Sequence, residues 1–172
     1  IAEICLLGKG ENSIFETEQD LKELNLKSIP VYTRIADIRE ANRIDSIVSE
    51  FKPDVVFHAA AHKHINLMEL NPCEAFENNV IGTHNLAKIS GKHKVSAFVL
   101  ISTDKAVNPT SIMGCTKNHA EKAMLMVSRI YPETKYTAVR FGNVLGSRGS
   151  VLTVWEKQLR SGQALTVTHK DA

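Results

Sequence analysis

Short apolar runs recur along the chain and alternate with longer amphipathic stretches. The runs are ICLLG, SIPVY, VVFHAAA, AFVLIS, YTAVRFG and ALTVT. Two of them, within DVVFHAAA and SAFVLIS, are almost continuously apolar, which is typical of parallel strands that are covered on both faces. The pattern therefore predicts a strand at each run, with these two strands buried on both sides.

The stretches between the runs have the length and spacing of helices. They are ENSIFETEQDLKEL, REANRIDSIVSEF, NPCEAFENNVIGTHNLAKISGKH, TKNHAEKAMLMVSRIY and SVLTVWEKQLRSG. In the third, Ala75, Val80, Thr83 and Ala87 give one apolar face that can lie on a sheet. Alternation of strand and helix with short connections predicts an α/β fold, a doubly wound parallel sheet with right-handed crossovers.

Ligands of such folds bind at the carboxyl ends of the strands, and polar or glycine-bearing segments follow most of the predicted strands. A dinucleotide-binding fold normally has a glycine-rich turn after its first strand. Gly8 and Gly10 form a bare GxG that lacks the third glycine, so ICLLG is either half of a phosphate loop or the second strand of the fold. In the second case Lys9 meets a ribose 2′-phosphate or lies in solvent.

Composition narrows the classes of function. A chain of 172 residues, 43% apolar and 23% charged, has the make-up of one soluble globular domain. A net charge of +2 with scattered basic residues excludes a nucleic-acid footprint or a polybasic membrane patch. No apolar run reaches the roughly 18 residues of a membrane helix, so we expect no membrane contact by this segment.

The cysteines and histidines do not form a metal-site pattern. Cys5, Cys73 and Cys115 lack CxxC spacing, which argues against zinc or a disulfide framework and favours a reducing cytoplasm. The histidines of the HAAAHKH segment are closely spaced, but no carboxylate or thiolate completes a plausible ligand set around them. They are His58, His62 and His64. We therefore expect small-molecule partners and no metal.

Three long motifs carry a resemblance to a known family. They are DVVFHAAAHKHINLMELNPCEAFENNVIGTHNLA, FVLISTDKAVNPTSIMGCTKNHAE and VRFGNVLGSRGSV. The chain resembles the nucleotide-sugar 4,6-dehydratases of polysaccharide biosynthesis, which are extended short-chain dehydrogenases with a Rossmann-like fold. The resemblance covers nearly the whole chain and implies that residues 1–172 are a partial NAD(P)-binding catalytic domain, truncated at both ends. The family's glycine-rich loop would precede Ile1, and a substrate-binding segment would follow Ala172.

The resemblance also implies a reaction. Bound NAD or NADP oxidises carbon 4 of a UDP-linked hexosamine, water leaves across carbons 5 and 6, and the hydride returns to carbon 6. Thr103, Asp104 and Lys105 would act on the sugar, with Asp104 as the acid and Lys105 as the base. An aspartic acid holds its proton near neutrality only if its pKa is raised, and a lysine acts as a base only if its pKa is lowered. A polar turn with a helix cap is the structural alternative.

Met113 departs from the usual pattern of the superfamily, in which a tyrosine stands four residues before a lysine. Here the pair is Met113 and Lys117. A thioether has no proton to exchange, so Met113 is not a general base, and Lys117, Thr103 or water takes the proton of the carbon 4 hydroxyl. By resemblance, Lys117 binds the nicotinamide ribose, and the structural alternative is a solvated surface lysine. For Met113 the structural alternative is a methionine packed at a helix start.

The resemblance assigns further contacts around the strand ends. The residues assigned to the cofactor are Lys9, Asp37, Ile38, Ala59, Ala60, Ala61, Lys63, Asn79, Phe141, Gly142 and Val144. Asn143 and Arg148 are assigned to the sugar diphosphate. A helix N-cap for Asp37, a hydrogen-bonded buried amide for Asn79 and a loop charge for Arg148 are the structural alternatives.

Two other functions remain open from the sequence. A nucleotide-sugar epimerase returns its hydride to carbon 4 and does not need Asp104 and Lys105 for elimination. An inactive fold fragment or binding module would account for the missing phosphate loop and tyrosine. For the intact protein, the resemblance implies a homo-oligomer in the cytoplasm, with an inner-membrane anchor in some relatives.

Overall fold

The computed structural model describes residues 1–24, 29–144 and 151–166, and it alternates strands with helices as predicted. The strands are β1 (Ile4–Gly8), β2 (Val31–Ile35), β3 (Val55–His58), β4 (Ala97–Thr103) and β5 (Lys135–Phe141). The helices are α1 (Glu11–Glu23), α2 (Ala41–Phe51), α3 (Ile65–Leu70), α4 (Pro72–Phe76), α5 (Gly82–Lys92), α6 (Ile112–Ile130) and α7 (Val151–Arg160). A π-helical turn covers Glu77–Ile81, and a 3₁₀ turn covers Asp104–Ala106.

Parallel strand pairs form two sheets. β1 runs parallel to β2 with Ile4 opposite Val31, and β3 runs parallel to β4 with Val55 opposite Ala97. β5 lies on the other side of β4. Within the described residues, β1 and β3 each pair with one strand, so the single continuous sheet predicted from the sequence is divided between them.

The main core lies between β4 and three helices. Phe98 and Leu100 of β4 are fully buried against apolar side chains of α2, α5 and α6. The helix residues of this core are Ile44, Ile47, Val48, Leu86, Ala87, Ile89, Ala120, Met124 and Val127. The helices thus cover one face of β4 and fix the position of its carboxyl end.

The expectation that β3 is covered on both faces is wrong for the described part of the chain. Val56 packs against the core and His58 is buried, whereas Val55 and Phe57 point the other way and Phe57 is 71% exposed. The alternation follows from the two-residue repeat of a strand, because within the described residues only the Val56 face is covered.

Two predicted helices differ in detail from the structure. The helix predicted over 71–93 contains α4, the π-helical turn and α5 in succession. α6 begins at Ile112, four residues before the amphipathic stretch TKNHAEKAMLMVSRIY and next to Met113, because the Ser111 hydroxyl accepts the Gly114 N–H at 3.1 Å as an N-cap. The earlier start brings Met113 into the first turn of the helix.

Residues 1–140 and 141–172 form two compact units. In the second, the indole N–H of Trp155 on α7 donates to the carbonyl of Thr166 at 2.7 Å, and Gln158 also bonds Thr166. The predicted strand ALTVT is not formed at 164–166, since Thr166 bonds these helix side chains; residues 167 and 168 lie outside the described residues. No helix in the described ranges has the length and apolar character needed to cross a bilayer.

We expect Phe98→Ala to lower the free energy of unfolding by about 3 to 5 kcal/mol, because it removes a fully buried ring and leaves a cavity. Phe15→Ala is the matched control, since Phe15 is 59% exposed, and we expect it to cost less than about 1 kcal/mol. Urea unfolding of both variants measures the difference. Equal losses at the two positions would show that this core does not support the fold.

Candidate functional site

Three polar residues lie together where β4 ends. The Thr103 hydroxyl donates to the Asp104 carboxylate at 2.9 Å, and the Lys105 ammonium donates to the same oxygen at 3.1 Å. Thr103 also accepts the Lys105 N–H at 3.3 Å, which caps the 3₁₀ turn. The cap predicted as the structural alternative is therefore present, and the same turn holds an alcohol, a carboxylate and an amine within hydrogen-bonding distance of one another.

The protonation of Asp104 differs from what a general acid requires. Hydrogen bonds from Thr103 and Lys105 hold the pKa of Asp104 below its ordinary value, and its side chain is 58% exposed. The carboxyl group is therefore ionised at neutral pH in this arrangement. Burial by the described residues acts in the opposite direction but is outweighed by these hydrogen bonds.

Lys117 is a buried charge. Its ammonium donates to the carbonyl of Ile101 at 2.7 Å, and the residue is 5% exposed. Burial lowers the pKa of Lys117 to about 8, although the nearby Glu121 carboxylate acts in the opposite direction. A surface lysine, the structural alternative, is excluded, and Lys117 lies directly beside the strand that carries Thr103.

Met113 is also buried, one turn before Lys117 on α6. It packs with Met68 and Ala75 in a small apolar cluster separate from the main core. The structure thus places Met113 as a packing residue at a helix start, which is the structural alternative for this position.

Asn79 joins the loop after β3 to the first turns of α6. Its side-chain oxygen accepts the backbone N–H of His62 at 2.8 Å, and its amide donates to the His62 carbonyl at 3.0 Å. The same amide donates to the Thr116 hydroxyl at 3.0 Å, and Thr116 in turn donates to the Met113 carbonyl. The described contacts of Asn79 are thus with the protein itself, as the buried-amide alternative requires.

His58 ends β3 as a neutral, buried side chain. The Thr83 hydroxyl donates to the carbonyl of Asn79 at 2.6 Å, so it accepts a hydrogen bond from Nε2–H of His58 at 2.8 Å. Burial lowers the pKa of His58 to about 3, and the positive charge of Lys117 contributes. Among the residues that the structure describes, no cluster of potential ligands gathers around a metal position.

The loop after β2 holds a charged cluster around Asp37. The Arg39 guanidinium bonds both oxygens of Asp37, at 2.7 to 3.1 Å, and the Lys9 ammonium lies 3.1 Å from Oδ2. Hydrogen bonds from Arg39, assisted by Lys9, hold the pKa of Asp37 far below its ordinary value. Lys9 therefore pairs with Asp37, a partner that the sequence analysis did not consider.

The side chain of Ile38, which the resemblance assigns to the cofactor, belongs to the core. It is 4% exposed, and its Cδ1 lies so close to Gly82 that a Cβ at that position would approach it to 2.5 Å. By contrast, Ala59 and Ala60 are exposed and Ala61 is half-buried, directly after β3. Small side chains at this strand end leave the backbone accessible to a ligand.

The remaining predicted contacts lie at the edges of the described structure. Lys63 is exposed in the loop that precedes α3. Phe141 ends β5, and Gly142, Asn143 and Val144 follow it in the second unit. Arg148 lies outside the described residues.

An open cavity of about 500 Å³ adjoins the turn at Lys105. Its lining includes Ile65, Glu69, Lys105, Asn108, Thr110 and Ser111. The Glu69 carboxylate accepts the N–H of Ile112 at 2.7 Å, so it caps α6 from a distant part of the chain. Glu69 has no local sequence signature, because its partner lies 43 residues away along the chain.

The chain was compared with known protein families and with curated proteins. The family model described as "Polysaccharide biosynthesis protein" matches residues 1–172. The chain belongs to this family. It is 49% identical over 168 residues to the capsular polysaccharide biosynthesis protein CapD of Staphylococcus aureus, covering 98% of this chain and 28% of that protein. It is 36% identical to a UDP-glucose 4-epimerase of Rickettsia canadensis, covering 89% of this chain and 45% of the epimerase.

Solved structures confirm the Rossmann-like fold. The structure of Pen from Bacillus thuringiensis superposes with a TM-score of 0.86 and 35% identity, covering 98% of this chain and 52% of that one. The UDP-glucose 4-epimerase of Thermus thermophilus, solved with NAD, superposes with a TM-score of 0.77 and 20% identity, covering 95% and 65%. Two of the relatives named above are UDP-glucose 4-epimerases. This chain spans only a part of its curated relatives, between about a quarter and half of the length of those named above.

Gly114 allows α6 to approach the 3₁₀ turn at Asp104–Ala106 closely. A Cβ at this position would lie 2.4 Å from the carbonyl oxygen of Lys105, which is backbone and has no rotamer to change. We therefore expect Gly114→Ala to lower the free energy of unfolding by about 1 to 3 kcal/mol, although alanine favours helices over glycine by about 1 kcal/mol. Lys122→Ala, at an exposed position of the same helix, is the control and should be nearly neutral. A stabilised Gly114→Ala protein would contradict the close approach.

The buried ammonium of Lys117 should lower the free energy of unfolding. Its pKa falls from 10.5 to about 8 on folding, so the unfolded chain binds more protons between these pH values and stability rises with pH across that range. We expect Lys117→Met to raise the free energy of unfolding by up to about 3 kcal/mol below pH 8, with a gain that shrinks as the pH approaches 10.5. Urea unfolding at several pH values measures this. Lys122→Met, at an exposed position of α6, should show no such pH dependence.

Proposed function

We propose that this chain is part of an NAD(P)-dependent 4,6-dehydratase that acts on UDP-N-acetylglucosamine or a related UDP-hexosamine for polysaccharide biosynthesis. The observation that carries the proposal is the contact between Asp104 and Lys105 on one short turn, beside an open cavity. Elimination of water needs an acid for the hydroxyl that leaves carbon 6 and a base for the proton of carbon 5, whereas a reaction confined to carbon 4 uses neither of these two groups. The family and the similarity to CapD support a role in polysaccharide synthesis.

The strand ends fit a dinucleotide. Ala59 and Ala60 leave backbone accessible after β3, and Lys117 offers a buried ammonium next to β4. NAD or NADP would supply the hydride acceptor at carbon 4 and the hydride for carbon 6. Ala59, Ala60 and Ala61 would form the wall against the cofactor, with Asp37 at the adenosine end and Lys117 at the nicotinamide ribose.

The chain's own residues supply the proton transfers. Once carbon 4 is a ketone, Lys105 would remove the acidified proton of carbon 5, and Asp104 would give a proton to the hydroxyl that leaves carbon 6. Met113 takes no part because it is buried and has no exchangeable proton. The proton of the carbon 4 hydroxyl would pass through the Thr103 hydroxyl or a water to solvent, because Lys117 is itself protonated below its pKa of about 8.

The acid role of Asp104 requires its pKa to rise when the sugar binds. In the structure, Asp104 is exposed, and its ionised carboxylate accepts hydrogen bonds from Thr103 and Lys105. A sugar that fills the adjoining cavity would remove water from Asp104 and take over its contact with Lys105, and both changes raise the pKa of the carboxyl. Asp104 would thus become protonated, and able to act as an acid, only when the sugar is bound.

A nucleotide-sugar 4-epimerase is the second candidate function. The observation that favours it is the 36% identity to a Rickettsia UDP-glucose 4-epimerase. An epimerase uses the hydride site at Lys117 in the same way but returns the hydride to carbon 4. The two candidates therefore differ in whether Asp104 and Lys105 act on the sugar.

We also propose that the reaction takes place in the cytoplasm, in a homo-oligomer of the intact protein. The cysteines support a reducing compartment, because Cys5, Cys73 and Cys115 are all free thiols.

The mass of the product tests the proposal. We expect the full-length protein to convert UDP-N-acetylglucosamine to a product lighter by one water, as measured by mass spectrometry. Asp104→Asn should lower the rate of water loss by on the order of 100-fold, because an amide cannot give up the proton that the leaving hydroxyl needs. It should leave exchange of the carbon 4 hydrogen with the cofactor nearly unchanged.

Lys94→Gln, which alters a charge at a distant exposed position, serves as the control. A product of unchanged mass and altered configuration at carbon 4 would establish the epimerase instead. Water loss at the normal rate in Asp104→Asn would remove Asp104 from the mechanism.

A further inference from the structure

Glu121 connects three elements behind the proposed site. Its Oε1 accepts the Ser102 hydroxyl at 2.5 Å, at the end of β4. Arg140, at the end of β5, binds the same carboxylate through Nε at 3.0 Å and through Nη2 at 2.5 Å. Glu121 itself lies on α6, so one carboxylate joins both strand ends to the helix.

The position of Glu121 along α6 relates it to Lys117. The two residues are four apart, which puts them on the same side of the helix about one turn from each other. Lys117 donates to Ile101, and Glu121 accepts from the next residue, Ser102. Adjacent residues of β4 are thus bonded by successive turns of α6, directly before Thr103.

Charge adds a second link between them. Although burial acts in the opposite direction, hydrogen bonds from Arg140 and Ser102 hold the pKa of Glu121 below its ordinary value, so the carboxylate is ionised. Its negative charge favours the ammonium form of Lys117. The other titratable groups near this pair are the neutral His58 on β3 and the guanidinium of Arg140 on β5.

We infer that Glu121 is a positioning residue of the active site: it fixes the end of β4 against α6 and places a carboxylate one helical turn from the Lys117 ammonium. This inference rests on the proposed use of Lys117 and Thr103 in hydride transfer and proton transfer, and it names the group that sets their relative position. Glu121 is 12% exposed at its side chain and is fully engaged with Ser102 and Arg140, so it acts through these partners.

Glu121→Gln in the full-length protein tests the inference, because the amide keeps the shape and removes the charge. We expect kcat to fall on the order of 10- to 100-fold with little change in the sugar KM, since a small misplacement at the reacting atoms slows turnover. We also expect the alkaline limb of the rate profile to move to lower pH, because the negative charge that favours the ammonium form of Lys117 is lost.

Glu121→Asp and Ser102→Ala separate charge from geometry. Glu121→Asp keeps the carboxylate, so its alkaline limb should stay at the wild-type pH. Ser102→Ala leaves the charge of Glu121 in place and removes the bond to β4, so it should lower kcat without moving the limb. Glu133→Gln is the matched control for loss of a carboxylate, since Glu133 and its partner Lys94 are both exposed, and it should change neither quantity.

The readout should be reduction of the bound cofactor in a single turnover with sugar, measured by absorbance, because dehydratases and epimerases share that step. If the enzyme is not a dehydratase, the mass of the product is unchanged. The test of Glu121 is unaffected by that result, because it measures reduction of the cofactor. An unaltered reduction rate and pH limb in Glu121→Gln would overturn the inference, and so would a lower melting temperature with no shift of the limb. If Glu121→Gln does not fold, Ser102→Ala tests whether the bond from Glu121 to β4 positions the site. A lowered kcat with an unchanged alkaline limb in Ser102→Ala would support this role, and wild-type kinetics in Ser102→Ala would overturn it.

Discussion

The burial of one ammonium group imposes the arrangement of the site. A charged lysine that is 5% exposed is costly unless polar groups surround it, and Lys117 has the carbonyl of Ile101 and the charge of Glu121. Both partners depend on the packing of α6 against β4. The helix is fixed in turn by Ser111 and Glu69 at its first turn and by Gly114 against the backbone of Lys105.

The same region contains several other buried polar side chains, and they are bonded to one another. Asn79, in the π-helical turn, connects the loop after β3 to Thr116. His58 is hydrogen-bonded to Thr83, which lies four residues after Asn79 in the first turn of α5. Among the described residues, the Thr134 hydroxyl stands alone as a buried side-chain polar atom without a partner. Because satisfied polar groups give a unique arrangement in a low-dielectric interior, this network holds β3, β4 and α6 in one geometry, which the apolar core alone does not specify.

Local patterns in the sequence were sufficient for most of the fold. The apolar runs located five strands, and the amphipathic stretches located the helices except α3 (Ile65–Leu70), which none of them covers. They failed where the surroundings of a segment decide its structure. Phe57 lies in an apolar run but is exposed. The apolar run ALTVT was predicted as a strand, but Thr166 within it accepts a hydrogen bond from Trp155 of α7.

The site was predicted in part for the same reason. Thr103, Asp104, Lys105 and Lys117 stand close together in the sequence, and their motif carried the resemblance. Glu121 and Glu69 act on residues 19 and 43 positions away, and such pairs have no local signature. The ionised state of Asp104 was also beyond the sequence, because it depends on the exposure of the turn and on two hydrogen bonds.

The one-sided cover of β3 bears on how this segment behaves as a separate protein. Val55 and Phe57 present apolar surface, and within the described residues the outer edge of β3 has unpaired N–H and C=O groups. Such an edge is a template for pairing with another chain, and an apolar face next to it strengthens the attraction. Residues 1–172 expressed alone would therefore tend to aggregate through β3, and their solubility would depend on covering that edge rather than on the well-packed core behind it.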